Sequence, residues 1–171
     1  KKCIDVSKDL ADLDVLINNM WETMYAANGV GLAAPQININ IRLFLIDTTP
    51  FNSDEEFDGE IVKEVFINPI IVLEEGPLWD FNEGCLSIPS IREDISRSSK
   101  ITIEYFDKNF NKKIKSYNGI NARVIQHEYD HLNGVLFIDK LSPLRKRMLK
   151  GKLHDISKGI VSVDYKMRFL K

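Results

Sequence analysis

The segment His127-Glu128-Tyr129-Asp130-His131 carries the residue types of a hydrolytic metal site in the pattern His-Glu-x-x-His. Residues four apart in a helix project from the same face, so both imidazoles can bind one metal ion. The Glu128 carboxylate lies between them, where it can exchange protons with a metal-bound water. On this pattern alone, a surface helix with two incidental histidines remains the alternative.

The flanking residues predict that this segment is a buried helix. Asn118-Gly119 is a turn signal before it, and Asn133-Gly134 ends it. Apolar residues cover most of its circumference, which is typical of a buried helix. Buried histidines and a buried glutamate need partners, because unpaired buried polar groups are costly. A metal ion would supply such a partner.

A third protein ligand is needed, because a catalytic site usually takes three and leaves one position for water. A downstream acidic residue could serve, as in many metalloproteases. Cys85, within Glu83-Gly84-Cys85-Leu86-Ser87, is the other candidate, since a thiolate binds zinc or ferrous iron strongly. A lone cysteine is also commonly a small buried hydrophobe. Spacing alone does not decide between these alternatives.

Length and composition favour an ordinary globular protein, with one domain expected over residues 1–171. The net charge of −2 provides no general surface for polyanions, so no DNA partner is expected. No apolar run is long enough to span a membrane. Two cysteines form no disulfide framework, which favours a cytoplasmic setting. The chain lacks an initiator Met, so a truncated N-terminus and an organellar location stay open.

Apolar spacing and turn residues predict the order of the elements. Helices are expected at 9–27, 119–133 and 142–159. Strands are expected at 41–46, 61–71 (with a break at Asn68-Pro69), 71–74, 101–106 and 113–117. Residues 47–60 read as a solvated acidic loop, and 107–109 as a hairpin turn. The class is therefore α+β, with small antiparallel or mixed sheets around the central helix and a basic C-terminal helix.

Three segments together resemble the peptide deformylase family. They are Gly-Val-Gly-Leu-Ala-Ala-Pro-Gln at 29–36, Glu-Gly-Cys-Leu-Ser at 83–87 and Gln-His-Glu-Tyr-Asp-His at 126–131. They occur in the family's order, and the resemblance extends from about residue 10 to Leu141-Ser142-Pro143. It implies a metal-dependent hydrolase that removes the formyl group from the N-terminal formylmethionine of new proteins and releases formate.

The resemblance also implies roles for particular residues. One divalent ion, Fe²⁺ in the cell and Zn²⁺, Ni²⁺ or Co²⁺ in purified samples, would be held by Cys85, His127 and His131. Glu128 would act as general acid and base while a metal-bound hydroxide attacks the formyl carbon. The Gln36 side-chain amide and the Leu86 backbone N–H would donate to the oxyanion.

A substrate pocket and a supporting ion pair follow from the same resemblance. The expected pocket residues are Val30, Gly31, Phe81, Gly84, Ile120, Arg123 and Val124. The stem of Arg123 would line the pocket while its guanidinium reaches solvent. The backbones of Gly31 and Gly84 would pair with an extended peptide. Asp130 is expected to pair with Arg97 and to fix the helix relative to the Cys85 loop.

The expected partners are formylmethionyl peptides and nascent chains. The C-terminal segment 142–171 adds a candidate contact with ribosomal RNA, because it is locally basic. Its basic residues are Arg145, Lys146, Arg147, Lys150, Lys152 and Lys158. A solvated helix face is the alternative interpretation of this cluster.

Two other functions remain to be distinguished from deformylation. A zinc metallopeptidase of another specificity would share the His-Glu-x-x-His chemistry. A metal-binding module without catalysis is the second alternative. Glu128 and Gln36 argue against the module, because neither is needed to hold a metal.

Overall fold

The computed structural model describes residues 2–53 and 59–169. Its helices are α1 (Leu13–Ala26), α2 (Gly119–Leu132) and α3 (Pro143–Ser157). Its strands are β1 (Gly31–Ala33), β2 (Leu43–Asp47), β3 (Lys63–Cys85), β4 (Ile88–Phe106) and β5 (Lys112–Asn118). Short 3-10 segments lie at Ala34–Ile37, Thr49–Ser53 and Phe137–Lys140. Within the described ranges, every helix is too short or too polar to cross a membrane.

The five strands form one sheet in the order β1-β2-β3-β4-β5, and every neighbouring pair is antiparallel. Strand β2 is buried on both faces, because helices cover both sides of the sheet there. Phe44 and Ile46 pack in the cluster that contains Ile125 of α2. Leu43 and Leu45 pack in the cluster that contains Met20 of α1. The predicted α+β class, with a central helix against antiparallel strands, is confirmed.

The observed elements differ from the sequence prediction mainly in β3 and β4. These strands include residues 75–85 and 88–100, where no strand was predicted. Buried positions of β4 alternate with exposed ones from Ile91 to Arg97, but two of them are charged: Glu93, between Ile91 and Ile95, and Arg97, after Ile95. Buried charges at apolar positions conceal the period-two pattern from a sequence reading. In the predicted loop 47–60, a 3-10 segment occupies Thr49–Ser53, and positions 54–58 lie outside the described residues.

The predicted break at Asn68-Pro69 is a shift of register within β3 rather than its end. Asn68 has a φ of 50°, in the left-handed region. Its Oδ1 accepts a hydrogen bond from the Val6 N–H at 2.7 Å, and its Nδ2 donates to the Val6 carbonyl at 3.0 Å. Asn68 therefore attaches the segment before α1 to β3.

We predict that Asn68→Ala lowers the free energy of unfolding by about 2–3 kcal/mol. Alanine loses both hydrogen bonds to Val6 and disfavours a positive φ. Asn68→Gly loses the same hydrogen bonds but accepts the conformation, so it should be less destabilising than alanine. Urea unfolding followed by circular dichroism measures both variants. Wild-type stability of Asn68→Ala would contradict the prediction.

Candidate metal centre and active site

Three of the predicted site residues converge where β3 ends against α2. Cys85 is the last residue of β3, and His127 and His131 lie one helical turn apart in α2. Their ligand atoms lie within 4.8 Å of one another, and Cys85 Sγ is 3.3 Å from His131 Nε2. Burial is the main cause that lowers the pKa of His131 to about 3. Its imidazole therefore keeps a free lone pair.

This donor set fits a divalent transition metal. A thiolate and two imidazoles are ligands that both zinc and ferrous iron accept. The Nδ1 of His127 lies 2.9 Å from Glu83 Oε2, so Nδ1–H donates to the carboxylate and Nε2 is directed at the cluster. A carboxylate behind a histidine ligand is the usual way in which proteins fix the ligand's tautomer and orientation.

Glu83 is the centre of a buried ion cluster and is only 4% exposed. Arg97 donates to both of its oxygens, at 2.7 and 3.0 Å. Arg123 donates to Oε1 at 2.9 Å. Burial alone would raise the pKa of Glu83, but the hydrogen bonds from His127 and Arg97 outweigh it and lower the pKa to about 2. The carboxylate is therefore ionised and holds β3, β4 and α2 together.

Sequence reasoning gave Glu83 no role, although it belongs to the 83–87 motif. Whether the Glu83 side chain faces the core or the solvent could not be predicted, because residues 75–85 were not recognised as a strand. Counting the buried charges would have indicated a role for Glu83. Two arginines buried in one region need a counter-charge, since an uncompensated buried charge is costly.

The expected pair between Arg97 and Asp130 is present in the structure. Arg97 Nη1 donates to Asp130 Oδ2 at 2.6 Å. Lys140 lies 3.2 Å from the same oxygen. Arg97 thus connects β4 to α2 through two carboxylates, those of Asp130 and Glu83. The two elements that carry the proposed ligands, β3 and α2, are therefore both connected to Arg97 through the carboxylates that it binds.

The expectation that the guanidinium of Arg123 reaches solvent is wrong. Arg123 is 2% exposed. Besides its bond to Glu83, it donates to the carbonyls of Ile95 at 2.8 Å and Trp79 at 2.6 Å. The guanidinium carbon also lies 4.6 Å from the Trp79 ring centroid. The guanidinium stays inside because these acceptors and the ring replace the water that it would otherwise bind.

Glu128 lies beside the ligand cluster, with its carboxylate buried. Its Oε2 has no hydrogen-bond partner among the described residues. Burial raises the pKa of Glu128 to about 7. A methyl group at Gly31 would lie 2.4 Å from Glu128 Oε1, so only glycine lets this backbone pass the carboxylate. A buried carboxyl that titrates near neutrality can both accept and release a proton.

The Gln36 side chain is held with its amide nitrogen facing the cluster. Its Oε1 accepts a hydrogen bond from the Ala33 N–H at 2.8 Å. Its Nε2 donates to Ser87 Oγ at 3.1 Å and lies 3.6 Å from Cys85 Sγ. Because the oxygen is occupied on the other side, the donor end is directed at the reacting region.

A cavity of about 480 Å³ opens beside these groups. Glu128, His127, Gln36, Cys85 and Leu86 line it. Six of the seven expected pocket residues also line it, and these are Val30, Gly31, Phe81, Gly84, Arg123 and Val124. Ile120 is not among the lining residues and packs against the core between α2 and the sheet. The expectation for Ile120 therefore does not match the cavity.

The α+β fold and this donor set define a metal-dependent hydrolase, and comparison with known proteins identifies its family. Residues 1–147 match the family model for polypeptide deformylase. A peptide deformylase from Christiangramia forsetii is 57% identical, covering 99% of this chain and 89% of its own. One from Flavobacterium psychrophilum is 50% identical, covering 99% and 91%. A Plasmodium falciparum peptide deformylase structure superposes with a TM-score of 0.82 at 35% identity, covering 93% and 90%.

The chain therefore belongs to the polypeptide deformylase family. It is a metal-dependent hydrolase that removes N-terminal formyl groups. The predicted family and activity are confirmed by these similarities.

We predict that Glu83→Gln weakens metal binding by roughly 10–100-fold, because His127 loses its ionised partner. The variant should also lose about 3–5 kcal/mol of stability, since two buried arginines lose their shared counter-charge. Competition with a chelator measures the affinity. Glu93→Gln is the matched control, because Glu93 is also a buried carboxylate of the β3–β4 hairpin but pairs with the partly exposed Arg145. Equal affinities in the two variants would contradict the role of Glu83.

Proposed function

We propose that Cys85, His127 and His131 hold the divalent cation on which deformylation depends, with Glu128 as general acid and base. One observation supports this proposal most directly. Three ligand atoms lie within 4.8 Å of one another, beside a buried carboxyl whose Oε2 lacks a protein partner. A structural metal site needs no such carboxyl.

A bound divalent cation supplies Lewis-acid chemistry here, because it makes water more acidic and polarises the formyl carbonyl. Glu128 accepts the proton of the attacking water and later delivers it to the leaving amine. Its pKa near 7 suits both transfers at neutral pH. Because the proton that Glu128 accepts is the one that it later delivers, the carboxyl returns to the same starting state after each turnover.

Gln36 and Leu86 are proposed to stabilise the oxyanion that forms from the formyl oxygen. The Gln36 amide is already aimed at the cluster by the Ala33 N–H. The Leu86 N–H follows the proposed ligand Cys85 directly in the chain. One such donor typically contributes a factor of roughly 10²–10³ in rate.

The selectivity for formyl follows from the space beside Glu128. A formyl carbon carries hydrogen where another acyl group carries carbon. Gly31 already lies so close to Glu128 that no Cβ fits between them, and we infer that larger acyl groups are excluded in the same way. The methionine side chain would enter the cavity lined by Val30, Phe81 and Val124, with the Arg123 stem at its wall. An extended peptide would pair with the Gly31 and Gly84 backbones.

The ion in the cell is proposed to be Fe²⁺, with Zn²⁺, Ni²⁺ or Co²⁺ in purified protein. The thiolate and imidazole donors accept any of these, and affinity order alone favours zinc over ferrous iron. A ferrous site with a cysteine ligand should lose activity in air faster than a zinc or nickel form. The proposed location is the cytoplasm, where formylated nascent chains are made.

We predict that Glu128→Gln retains metal and fold but loses turnover by about 10²–10⁴-fold, because one group serves both proton transfers. Formate release from a formyl-Met peptide measures this loss. Cys85→Ser is the contrasting variant, since a hydroxyl is a much weaker ligand and the metal itself should be lost. The unformylated peptide is the second control, because a metallopeptidase would cleave it. Activity of Glu128→Gln within a few-fold of wild type would exclude the proposed role.

Ribosome contact through α3 is also proposed. Its basic side chains are exposed, whereas Leu149 and Ile156 are buried on the other side of the helix. Arg145 is paired with Glu93 at 2.6 Å. Lys146 Nζ donates to the Asp139 carbonyl at 2.7 Å. The charges proposed to face the ribosome are therefore the remaining ones of the predicted cluster, those of Arg147, Lys150, Lys152 and Lys158.

Changing these four residues to Gln should weaken co-sedimentation with ribosomes and reduce its dependence on salt, because phosphate contacts release counterions. Sedimentation at low and moderate salt measures both effects. A control with Lys8, Lys100, Lys108 and Lys112 changed to Gln alters the net charge equally at other exposed positions. Equal weakening in both variants would leave only a non-specific effect of net charge.

A further inference from the structure

The chain after α3, residues 158–169, packs back onto the protein as a loop. The family match extends over residues 1–147, so this loop lies beyond it. The loop bends at residues 164–165. Partly buried side chains alternate with exposed ones, and the partly buried ones are Val161, Val163, Tyr165, Met167 and Phe169. One side of the loop is therefore in contact with protein.

Two contacts hold the base of this loop in place. Val161 packs against the apolar cluster that includes Ile88 and Phe137, against which Cys85 also packs. The Phe169 ring lies 3.0 Å from where a Cβ would stand at Gly159. Gly159 has a φ of 74°, a conformation that favours glycine. Phe169, at the end of the loop, thus lies against Gly159 at its beginning, and Tyr165 lies at the bend between them.

The hydroxyl of Tyr165 reaches the turn that follows the proposed ligand Cys85. It donates to the Leu86 carbonyl at 2.7 Å. Leu86 and Ser87 form the turn between Cys85 and Ile88, which pair, but the next pair is Gly84 with Arg92, so the register of β3 and β4 shifts directly beside the turn. Ser90, within the shifted segment, has a φ of 61°, in the left-handed region. Because no regular ladder continues from this turn, contacts from outside it help to fix its conformation.

Two side chains from elsewhere in the chain provide such contacts. Gln36 donates to Ser87 Oγ, and Tyr165 donates to the Leu86 carbonyl. We propose that Tyr165 is a positioning residue: by binding the carbonyl of the Leu86–Ser87 peptide group it restricts rotation of the backbone at Leu86, so that the Leu86 N–H, in the adjoining Cys85–Leu86 peptide group, stays aimed at the oxyanion. This inference rests on the proposed function, in which that N–H is a donor. A small misplacement of such a donor reduces the rate, because it acts only when it is already oriented.

The test is Tyr165→Phe, which removes only the hydroxyl. For a formyl-Met peptide, kcat should fall roughly five-fold, the factor that one neutral hydrogen bond supports. KM should stay within two-fold, and the metal content should be unchanged. Amide hydrogen exchange in a peptide spanning 85–88 should become several-fold faster. This second measurement does not depend on activity.

Tyr25→Phe is the matched control. Tyr25 is more exposed than Tyr165, and its hydroxyl donates at 2.6 Å to Asp47, which pairs with Lys63 at the other end of β3 from Cys85. This variant should leave kcat and exchange at 85–88 unchanged.

Unchanged kcat or unchanged exchange in Tyr165→Phe would overturn the inference. A rise in KM alone would also overturn it, because the loop would then contact substrate rather than orient Leu86. Loss of metal would also overturn it, because Tyr165 would then support the ligand Cys85 rather than orient Leu86. If wild-type protein releases no formate, the proposed function fails, and the exchange result still decides whether Tyr165 holds the turn.

Discussion

The buried carboxylate of Glu83 is the interaction on which the site depends. It bonds to two guanidinium groups and one imidazole, which come from β4 and α2. Each guanidinium would be expensive to bury alone, and together with the imidazole N–H they hold the carboxylate ionised despite its own burial. Losing Glu83 would leave both guanidinium groups without their shared counter-charge. The position of the His127 ring is therefore coupled to the pairing of two strands far from it in sequence.

The fold makes this arrangement rigid by placing α2 between ionic and apolar contacts. One group of α2 side chains packs with Phe44, Phe66 and Tyr105 of the sheet. Another carries the proposed ligands and Glu128. Arg97 joins Asp130 of the helix to Glu83 of the hairpin. Because both the apolar core and the ion cluster contact α2, the positions of the ligand residues do not depend on the metal alone.

Burial acts to raise the pKa of both glutamates near the site, but their neighbours make the outcomes opposite. Glu83 is surrounded by cations, so its pKa falls to about 2. Glu128 lacks such direct partners, so burial raises its pKa to about 7. One carboxylate is thereby suited to orient a ligand permanently, and the other to exchange protons. The difference arises from neighbours rather than from residue type.

The local motifs of the sequence were sufficient to predict the family, the class of fold and the candidate ligands. His127, Glu128 and His131 are four residues apart at most, so helical geometry alone relates them. Cys85 entered as a candidate through its motif, although spacing left an acidic ligand open. The helices were predicted because their apolar period is local. These features need no knowledge of distant contacts.

Only the tertiary structure could decide the features that depend on contacts between residues distant in sequence. The inward direction of Glu83 and Arg97 depends on the register of a hairpin whose charged core positions conceal its alternation. Arg123 was expected to reach solvent, but it is buried because Glu83 and two carbonyls accept its hydrogen bonds. The contact of Tyr165 with Leu86 joins positions 79 residues apart. Such pairings depend on how the whole chain packs, which no local pattern encodes.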